Sequence, residues 1–300
     1  MKKILIICAL LLSFAITSFA QKTRTVTIST EPNATVWVDD IKRGATDASG
    51  KLTIKFVPAS ARKIRVRAHS FKEITQNLAP SQSQIEVNLV KTTDEAELTF
   101  HEAEKMMKVD RQQAIALYKK AASLRPKYVE AYIEMARAMS DANDYEGALD
   151  AIGKARKARP IFPEASAIEG RIHKSNGDDD KAVAAFKRAI REGNGFQPEA
   201  HTGLGMLYKE QAEAFAANND FENEEAHYKL AAGELKIALA QLSGTEPVIY
   251  ELLGQVYEKM QKYPEAIATY EDYLRMFPDT PEATTFRSYI VQIRKLMAEQ

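Results

Sequence analysis

The chain has 300 residues, of which 45% are hydrophobic and 27% are charged, and its 41 basic residues balance 41 acidic ones. These values exclude a disordered chain and leave room for two folded domains. Because the formal net charge is zero, the composition gives no reason to expect nucleic-acid binding.

The first twenty residues have the pattern of a secretory signal peptide. Lys2 and Lys3 precede an apolar run at residues 4–19, and a cleavage site is expected after Ala20. The run is short for a membrane span, and an uncleaved anchor is the alternative. Cys8, the only cysteine, lies within it, so the mature chain has no disulfide or thiolate ligand. We therefore expect an exported protein without a later transmembrane segment, and loss of the two lysines changes the net charge from 0 to −2.

Residues 21–92 alternate apolar and polar side chains, which is typical of half-buried strands. The pattern predicts six short strands in a small antiparallel β-sandwich, with Val36 and Val38 facing inward and Trp37 facing outward. Its clearest members are Val26, Ile28, Val36, Val38, Leu52, Ile54, Phe56, Ile64, Val66, Ile85, Val87 and Leu89.

This region resembles a PEGA domain, a small β-sandwich found in surface and envelope proteins. The resemblance implies a structural or binding module, since the family shares no catalytic activity. Asn33, Asp40 and Ser70 stand where glycine is common, and Asn and Asp tolerate the left-handed geometry that such turns need. The matching residues are Ser29, Pro32, Ala34, Val36, Val38, Asp39, Gly44, Pro58, Val66 and Phe71.

From residue 93 onward the period becomes helical, and residues 126–160 show it most clearly. Two helical patterns flank a polar turn at Asn143 and Asp144, and prolines 34 residues apart close the unit. A fixed period of this size predicts stacked helix pairs. The unit resembles a tetratricopeptide (TPR) repeat at Tyr132, Ala136, Met139, Ala148, Ile152, Ala155 and Pro160.

The resemblance extends over about five units, which implies an all-α solenoid over residues 93–300. The first unit, about 95–128, departs from the pattern at His101 and Glu102, as a terminal unit can. The third unit ends at Gly193-Asn194-Gly195 instead of proline, and glycine can end a helix in left-handed geometry. A final helix at about 281–298 is expected to cap the array. The matching residues in units one, three and five are Ala114, Tyr118, Ala121, Pro126, Gly170, Ala182, Phe186, Ala189, Tyr250, Leu253, Gly254, Tyr257, Ala266, Tyr270 and Pro278.

The fourth unit is longer than the others. It begins with Leu204, Gly205 and Tyr208, but its second helix arrives fourteen residues late. About two additional turns in each helix would keep both faces in register. This spacing predicts an elongated hairpin at about 198–242 that turns at Asn218-Asn219-Asp220.

We find no catalytic constellation in the sequence and expect neither an enzyme nor a cofactor. The histidines at positions 69, 101, 173, 201 and 227 never have metal-ligand spacing. His201 and His227 could face each other across the fourth unit, but a packing role is favoured over a metal site.

The first helices of the units are expected to form a concave wall that binds a protein partner. By resemblance to the TPR family, the ligand-facing positions form a basic strip that could hold an acidic segment or a terminal carboxylate. A solvated face of mixed charge is the alternative. The assigned groove residues are Ile133, Arg137, Arg171, Lys174, Met206 and Lys209.

Two other surfaces compete with the groove. Phe215 and Phe221 are expected near the hairpin tip as an exposed aromatic pair, unless the hairpin folds against another part of the chain. Trp37 could stack on a sugar ring or a partner, although packing under a neighbouring loop is favoured.

The sequence therefore predicts an exported, non-catalytic scaffold that binds protein partners within a cell-envelope assembly. The expected location is the periplasm or the periplasmic face of the outer membrane, and an extracellular location is the alternative. The competing hypothesis is a protein that binds glycan or cell wall through its sandwich, with the repeats as a spacer. A hidden hydrolase is the least favoured hypothesis.

Overall fold

The structure is a computed structural model that describes residues 23–299. The predicted signal peptide lies outside the described residues. An N-terminal β-rich region is followed by helices in paired arrangement, which confirms the fold class that the periodicities predict.

Within residues 23–86, seven strands form two facing sheets around an apolar core that includes Val26, Ile28, Val36, Ile64 and Val66. The three-stranded sheet has the order β4-β1-β7, and the four-stranded sheet has the order β3-β2-β5-β6. The strands are β1 (Thr23–Ser29), β2 (Thr35–Val38), β3 (Ile41–Ala45), β4 (Lys51–Pro58), β5 (Lys63–Arg67), β6 (Ile74–Asn77) and β7 (Gln84–Glu86).

The structure corrects two features of the predicted sandwich. Strand β7 runs parallel to β1, so the three-stranded sheet is mixed rather than antiparallel. Strands β3 and β6 were not among the alternating segments, because both are edge strands with few buried side chains. Such strands are held mainly by backbone pairing to a neighbour, which side-chain alternation does not reveal.

The turn residues of the β-rich region adopt the left-handed conformation. Asn33, Asp40 and Ser70 have φ angles of 58°, 66° and 67°. These turns therefore form without glycine, at a small conformational cost.

Eleven helices follow between residues 95 and 298, and consecutive helices pack as antiparallel pairs. The last helix, α11, packs Phe286, Ile290 and Ile293 against the final pair, whereas Met297 near its end is exposed. The helices are α1 (Glu95–Met106), α2 (Arg111–Leu124), α3 (Val129–Asp141), α4 (Tyr145–Ala158), α5 (Pro163–Ser175), α6 (Asp179–Glu192), α7 (Pro198–Ala217), α8 (Phe221–Gln241), α9 (Pro247–Lys259), α10 (Tyr263–Met276) and α11 (Pro281–Ala298).

Units two to five turn between their helices in the same way. One residue adopts positive φ, namely Asn143, Gly177, Asn219 or Gln261. The next residue donates its backbone N–H to the carbonyl five positions back, as Asp220 does to Phe215. This closure satisfies free carbonyls at the helix end and reverses the chain within three residues. The turn of the fourth unit therefore lies at Asn218-Asn219-Asp220, where the sequence places it.

The β-rich region is tied to the first unit by a contact that we call the near contact. Arg67, at the end of β5, donates to Glu73 and Glu104 at 2.7 Å each and lies over the rings of Trp37 and Phe100. The Ser70 N–H donates to Nδ1 of His101, 3.2 Å away. The departure of His101 from the repeat pattern thus has a structural reason, because this residue receives the β-rich region.

The β-rich region also touches the last two units, at what we call the far contact. Arg43 of β3 donates to the Leu242 carbonyl at 3.4 Å and to the Thr245 hydroxyl at 3.1 Å. The rings of Phe56 and Phe277 meet edge to face with centroids 5.4 Å apart, and Ile41 packs against the C-terminal helical core. One small region thus contacts both ends of the helical array.

Candidate partner-binding surfaces

The first helices of units two to five, α3, α5, α7 and α9, pack side by side and carry the groove residues assigned from the sequence. Each of these helices follows the previous unit after a short connection. Proline in the first turn of α5, α7 and α9 fixes where those three helices begin. The side chains on this face therefore come from four separate units.

Arg137 joins three of these helices through ion pairs. Its guanidinium Nη2 lies 3.2 Å from Glu164 Oε1 on α5 and 3.2 Å from Glu199 Oε2 on α7, and Nη1 lies 3.3 Å from Glu199 Oε1. Two carboxylates around one guanidinium satisfy most of its donors. Arg137 therefore stabilises the stacking of units two to four.

The two carboxylates beside Arg137 respond differently to their surroundings. Burial raises the pKa of Glu164 above its ordinary value, and this influence exceeds the attraction of Arg137. Burial also acts on Glu199, but the attraction and hydrogen bonds of Arg137, with the charge of Arg171, outweigh it and lower the pKa of Glu199. Glu199 is thus the main counter-charge of Arg137.

The other predicted basic residues are mostly paired as well. Lys174 Nζ lies 2.7 Å from Glu210, and Lys209 Nζ lies 2.8 Å from Glu213. Arg171 differs, because its Nη2 is buried and has no hydrogen-bond partner among the described residues. The strip is therefore a network of mixed charge in which Arg171 retains a free donor, and an acidic ligand stays a prediction.

The structure corrects the assignment of Ile133 to this surface. Its side chain is only 2% exposed and packs in the core of the first two units, so a partner cannot reach it. Met206, by contrast, is half-buried on α7 and stays on the groove side.

Two acidic residues lie near the end of the groove, on α9. Glu251 of α9 accepts a hydrogen bond from the hydroxyl of Tyr289 at 3.0 Å, and Glu258 accepts one from Tyr270 at 2.9 Å. Neither carboxylate forms an ion pair within 4.0 Å among residues 23–299. The groove therefore carries paired charges at α3, α5 and α7 and unpaired negative charge at α9. This change in charge along the groove depends on partners that are distant in sequence.

At the hairpin tip, the expected exposed aromatic pair is not formed. Phe221 is 67% exposed, but Phe215 is half-buried with its ring 4.8 Å from that of His227. Phe215 and His227 line a cavity of about 430 Å³ between the hairpin and α6, with Tyr208 and Val183 also in its wall. The cavity arises because the hairpin extends beyond its shorter neighbour.

Trp37 projects from the outer face of β2, as predicted, but its ring is not free. The guanidinium carbon of Arg65 lies 4.3 Å from the ring centroid and that of Arg67 lies 5.1 Å away. Cations at these distances are attracted to an indole face. Trp37 therefore belongs to the near contact, and a face covered in this way is a poor stacking platform for a sugar.

The histidines of the fourth unit have separate partners. His201 Nδ1 lies 2.6 Å from Glu234 Oε2, whereas His227 Nδ1 lies 2.8 Å from the carbonyl of Asn223. Across the described residues, no group of three or more His, Cys, Asp or Glu side chains is placed to hold a metal ion.

No helix within residues 23–299 combines the length and hydrophobicity that crossing a membrane requires.

Family models of the tetratricopeptide repeat match three stretches of the chain, residues 109–172, 164–192 and 251–297. A curated relative, "Anaphase-promoting complex subunit 3" of Schizosaccharomyces pombe, is 26% identical over 146 residues. That match covers 49% of this chain and 20% of the relative, so the chain spans about one fifth of the length of that protein.

Two solved structures share the helical fold at low sequence identity. Yeast Tom70 superposes with a TM-score of 0.56 at 17% identity, covering 69% of this chain and 41% of Tom70. The APC/C hetero-tetramer Cut9-Hcn1 gives a TM-score of 0.51 at 16% identity, covering 68% of this chain and 37% of that one. The repeat matches and the paired helices agree, and this chain is a tetratricopeptide repeat protein with an N-terminal β-rich region.

Proposed function

We propose that the chain is an exported, non-catalytic scaffold that binds a protein partner through its repeat groove, within an assembly of the cell envelope. Tetratricopeptide repeats mediate protein–protein interactions, and scaffolds of this kind are generally non-catalytic. The N-terminal β-rich region, with its resemblance to PEGA domains, and the signal-like residues 1–20 support the envelope location.

The observation that carries the groove assignment is Arg171. Arg137 on α3 and Lys174 on α5 are already paired, whereas the Nη2 donor of Arg171 on α5 is buried without a hydrogen-bond partner among the described residues. An unsatisfied buried donor is costly, and a turn of the Arg171 side chain toward the groove would let a carboxylate or carbonyl of a bound segment satisfy it. Met206, half-buried on the neighbouring α7, offers an adaptable apolar contact beside it.

Site-specific cross-linking tests the groove. A photo-reactive residue at Met206 should yield a defined protein adduct from the envelope fraction, and Arg171→Gln should reduce that adduct about tenfold, as expected for loss of a charge-assisted hydrogen bond. The matched control is Arg191→Gln, since Arg191 is exposed on the outer helix α6. Equal adduct yield in the two variants would exclude Arg171 as the contact.

Export is tested independently of the groove. Cell fractionation should place the protein in the periplasm or on the outer membrane, and N-terminal sequencing should begin at Gln21. A protein that keeps Lys2 and Lys3 and stays in the cytoplasmic fraction would contradict export while leaving the groove assignment open to its own test.

A further inference from the structure

A cleft lies between the β-rich region and the fourth unit, away from the groove. Its volume is about 410 Å³, which is within the range of ligand-binding pockets. The walls are mainly apolar, with Val38, Ile41 and Pro58 on one side and Phe196, Ile237 and Ala240 on the other.

The cleft continues along α8 as an exposed apolar row that we call the α8 seam. Its residues are alternately four and three positions apart, which is the spacing of the side chains through which one helix packs against another. The seam spans fourteen positions, or about 21 Å of helix. A side chain added at its central glycine would meet no atom of the described residues within 4 Å, so another backbone can approach closely there. The seam residues are Ala226, Leu230, Gly233, Ile237 and Ala240.

The exposure of the seam is unusual for side chains of this kind. Leu230 is 48% exposed and Ile237 is 44% exposed, and Phe196 beside the cleft is 41% exposed. The far contact already buries the adjoining Ile41 against the helical core, so the seam extends an apolar contact that the chain makes with itself. An exposed apolar surface continuous with a buried one indicates a binding site.

Charge decides what kind of ligand fits. Asp39 and Arg43 in the wall of the cleft carry opposite charges, so the cleft has no net charge that would attract an ionic group. Along one edge of the seam, Lys229 pairs with Glu225 at 2.7 Å, and Lys236 Nζ lies 5.3 Å from the centroid of the Tyr257 ring. The ligand is therefore uncharged and apolar at the cleft, and this edge, with two lysines against one glutamate, favours an acidic flank over a basic one.

A second copy of the chain fits this pattern poorly. Antiparallel packing of two α8 helices would bring the two lysine edges together, which is repulsive. Parallel packing would direct Lys229 at Glu234 of the other copy. Glu234 is a poor partner for that lysine, because His201 of its own chain already lies 2.6 Å from it. We propose that the cleft and the α8 seam bind an amphipathic helix of a different protein, which inserts an apolar side chain between Ile41 and Ile237.

A synthetic helix tests the proposal on the full chain. The probe is an acetylated and amidated 18-residue peptide with leucines at seam spacing and glutamates on one flank, and a scrambled peptide is the reference. In methyl NMR spectra, the δ1-methyl signals of Ile41 and Ile237 should shift to saturation, whereas that of Ile152, in the core of the second unit, should not move.

Variants locate the binding. Ala240→Phe fills the cleft and should weaken the peptide at least tenfold, whereas Ala116→Phe, at an exposed position of the outer helix α2, should leave the affinity unchanged. Leu230→Ser removes a seam contact without adding volume and should weaken binding about fivefold, which keeps the test valid if Ala240→Phe misfolds.

Three results would overturn the proposal. These are no saturable shift of Ile237, equal binding of the scrambled peptide, and unchanged affinity in both Ala240→Phe and Leu230→Ser. A shift of the Ile237 signal on dilution without peptide would also overturn it, because the seam would then join copies of this chain.

Discussion

The near and far contacts of the β-rich region differ in how completely they are packed. At the near contact, Arg67 is 7% exposed, is held by two carboxylates and lies against two aromatic rings. At the far contact, the hydrogen bonds that Arg43 makes within residues 23–299 go to a carbonyl and a hydroxyl, its buried Nε has no partner there, and a cleft remains beside it. The same region is therefore fixed firmly at one end of the array and loosely at the other.

This difference assigns separate roles to the two contacts. Charged groups removed from water contribute net stability only when their hydrogen bonds are satisfied, as they are around Arg67. At the far contact, the buried Nε of Arg43 lacks a hydrogen-bond partner among the described residues, and apolar surface stays exposed. Both features are typical of a surface that can accept another molecule. The near contact thus orients the β-rich region, and the far contact offers space for binding.

Removing Arg67 should destabilise the near contact more than any other single change in these two contacts. We expect Arg67→Met to lower the free energy of unfolding by about 3 kcal/mol, because Glu73 and Glu104 lose their counter-charge. Urea unfolding can be followed by fluorescence of Trp37, the only tryptophan, which lies in this contact. The control is Arg65→Met, whose ion pairs are longer at 3.5 and 3.8 Å and which should cost less than half as much. Equal losses would mean that Arg67 has no special role.

Acid should weaken the near contact through His101. Burial, together with the charges of Arg67 and His69, lowers the pKa of His101 to about 4 from an ordinary 6.5. The unfolded chain therefore binds a proton more readily, and stability that is fully present above pH 6.5 is lost as the pH falls towards 4. Between pH 7 and pH 5 we expect a loss of about 2 kcal/mol from this residue.

His101→Gln tests the pH dependence. Glutamine can still accept a hydrogen bond but does not titrate, so the variant should lose less stability than the parent chain between pH 7 and pH 5. The comparison is made by urea unfolding monitored at Trp37. Parallel pH curves for the two proteins would contradict the role of His101.

The far contact should give the smallest effect. A double-mutant cycle of Phe56→Leu and Phe277→Leu should show a coupling of about 1 kcal/mol, as edge-to-face ring pairs do. Thermal unfolding at pH 7 provides the values. Phe56→Leu combined with Phe100→Leu is the reference, because these residues belong to different contacts and their effects should add. Additive losses for Phe56 and Phe277 would show that the two rings do not meet in solution.

Local periodicity predicted much of the helical region. The fourteen additional residues of the fourth unit gave an elongated hairpin because helix length follows directly from residue count, and Asn219 forms the turn because few residues adopt positive φ easily. The buried face of β2 was also predictable, because Val36 and Val38 alternate with Trp37 along the strand. Edge strands β3 and β6 were missed because they bury little.

The candidate surfaces were less predictable than the fold. Arg137 and Lys174 were assigned to a basic strip, but their carboxylate partners lie 27 to 62 positions away in the sequence. Phe215 was expected in the open, yet it packs against His227 of the facing helix. The cleft at the far contact has walls about 200 positions apart in sequence and leaves no sequence pattern.

By itself the sequence determined the sandwich-like strands, the repeat period and the position of the long hairpin, because these depend on spacings within a few turns or one strand pair. The tertiary structure alone decided which charges are neutralised, that Ile133 is buried, and that the β-rich region touches both ends of the array. Those features depend on distances between residues far apart in the chain. Electrostatic and packing energies are set by such distances in space, and residue order does not encode them.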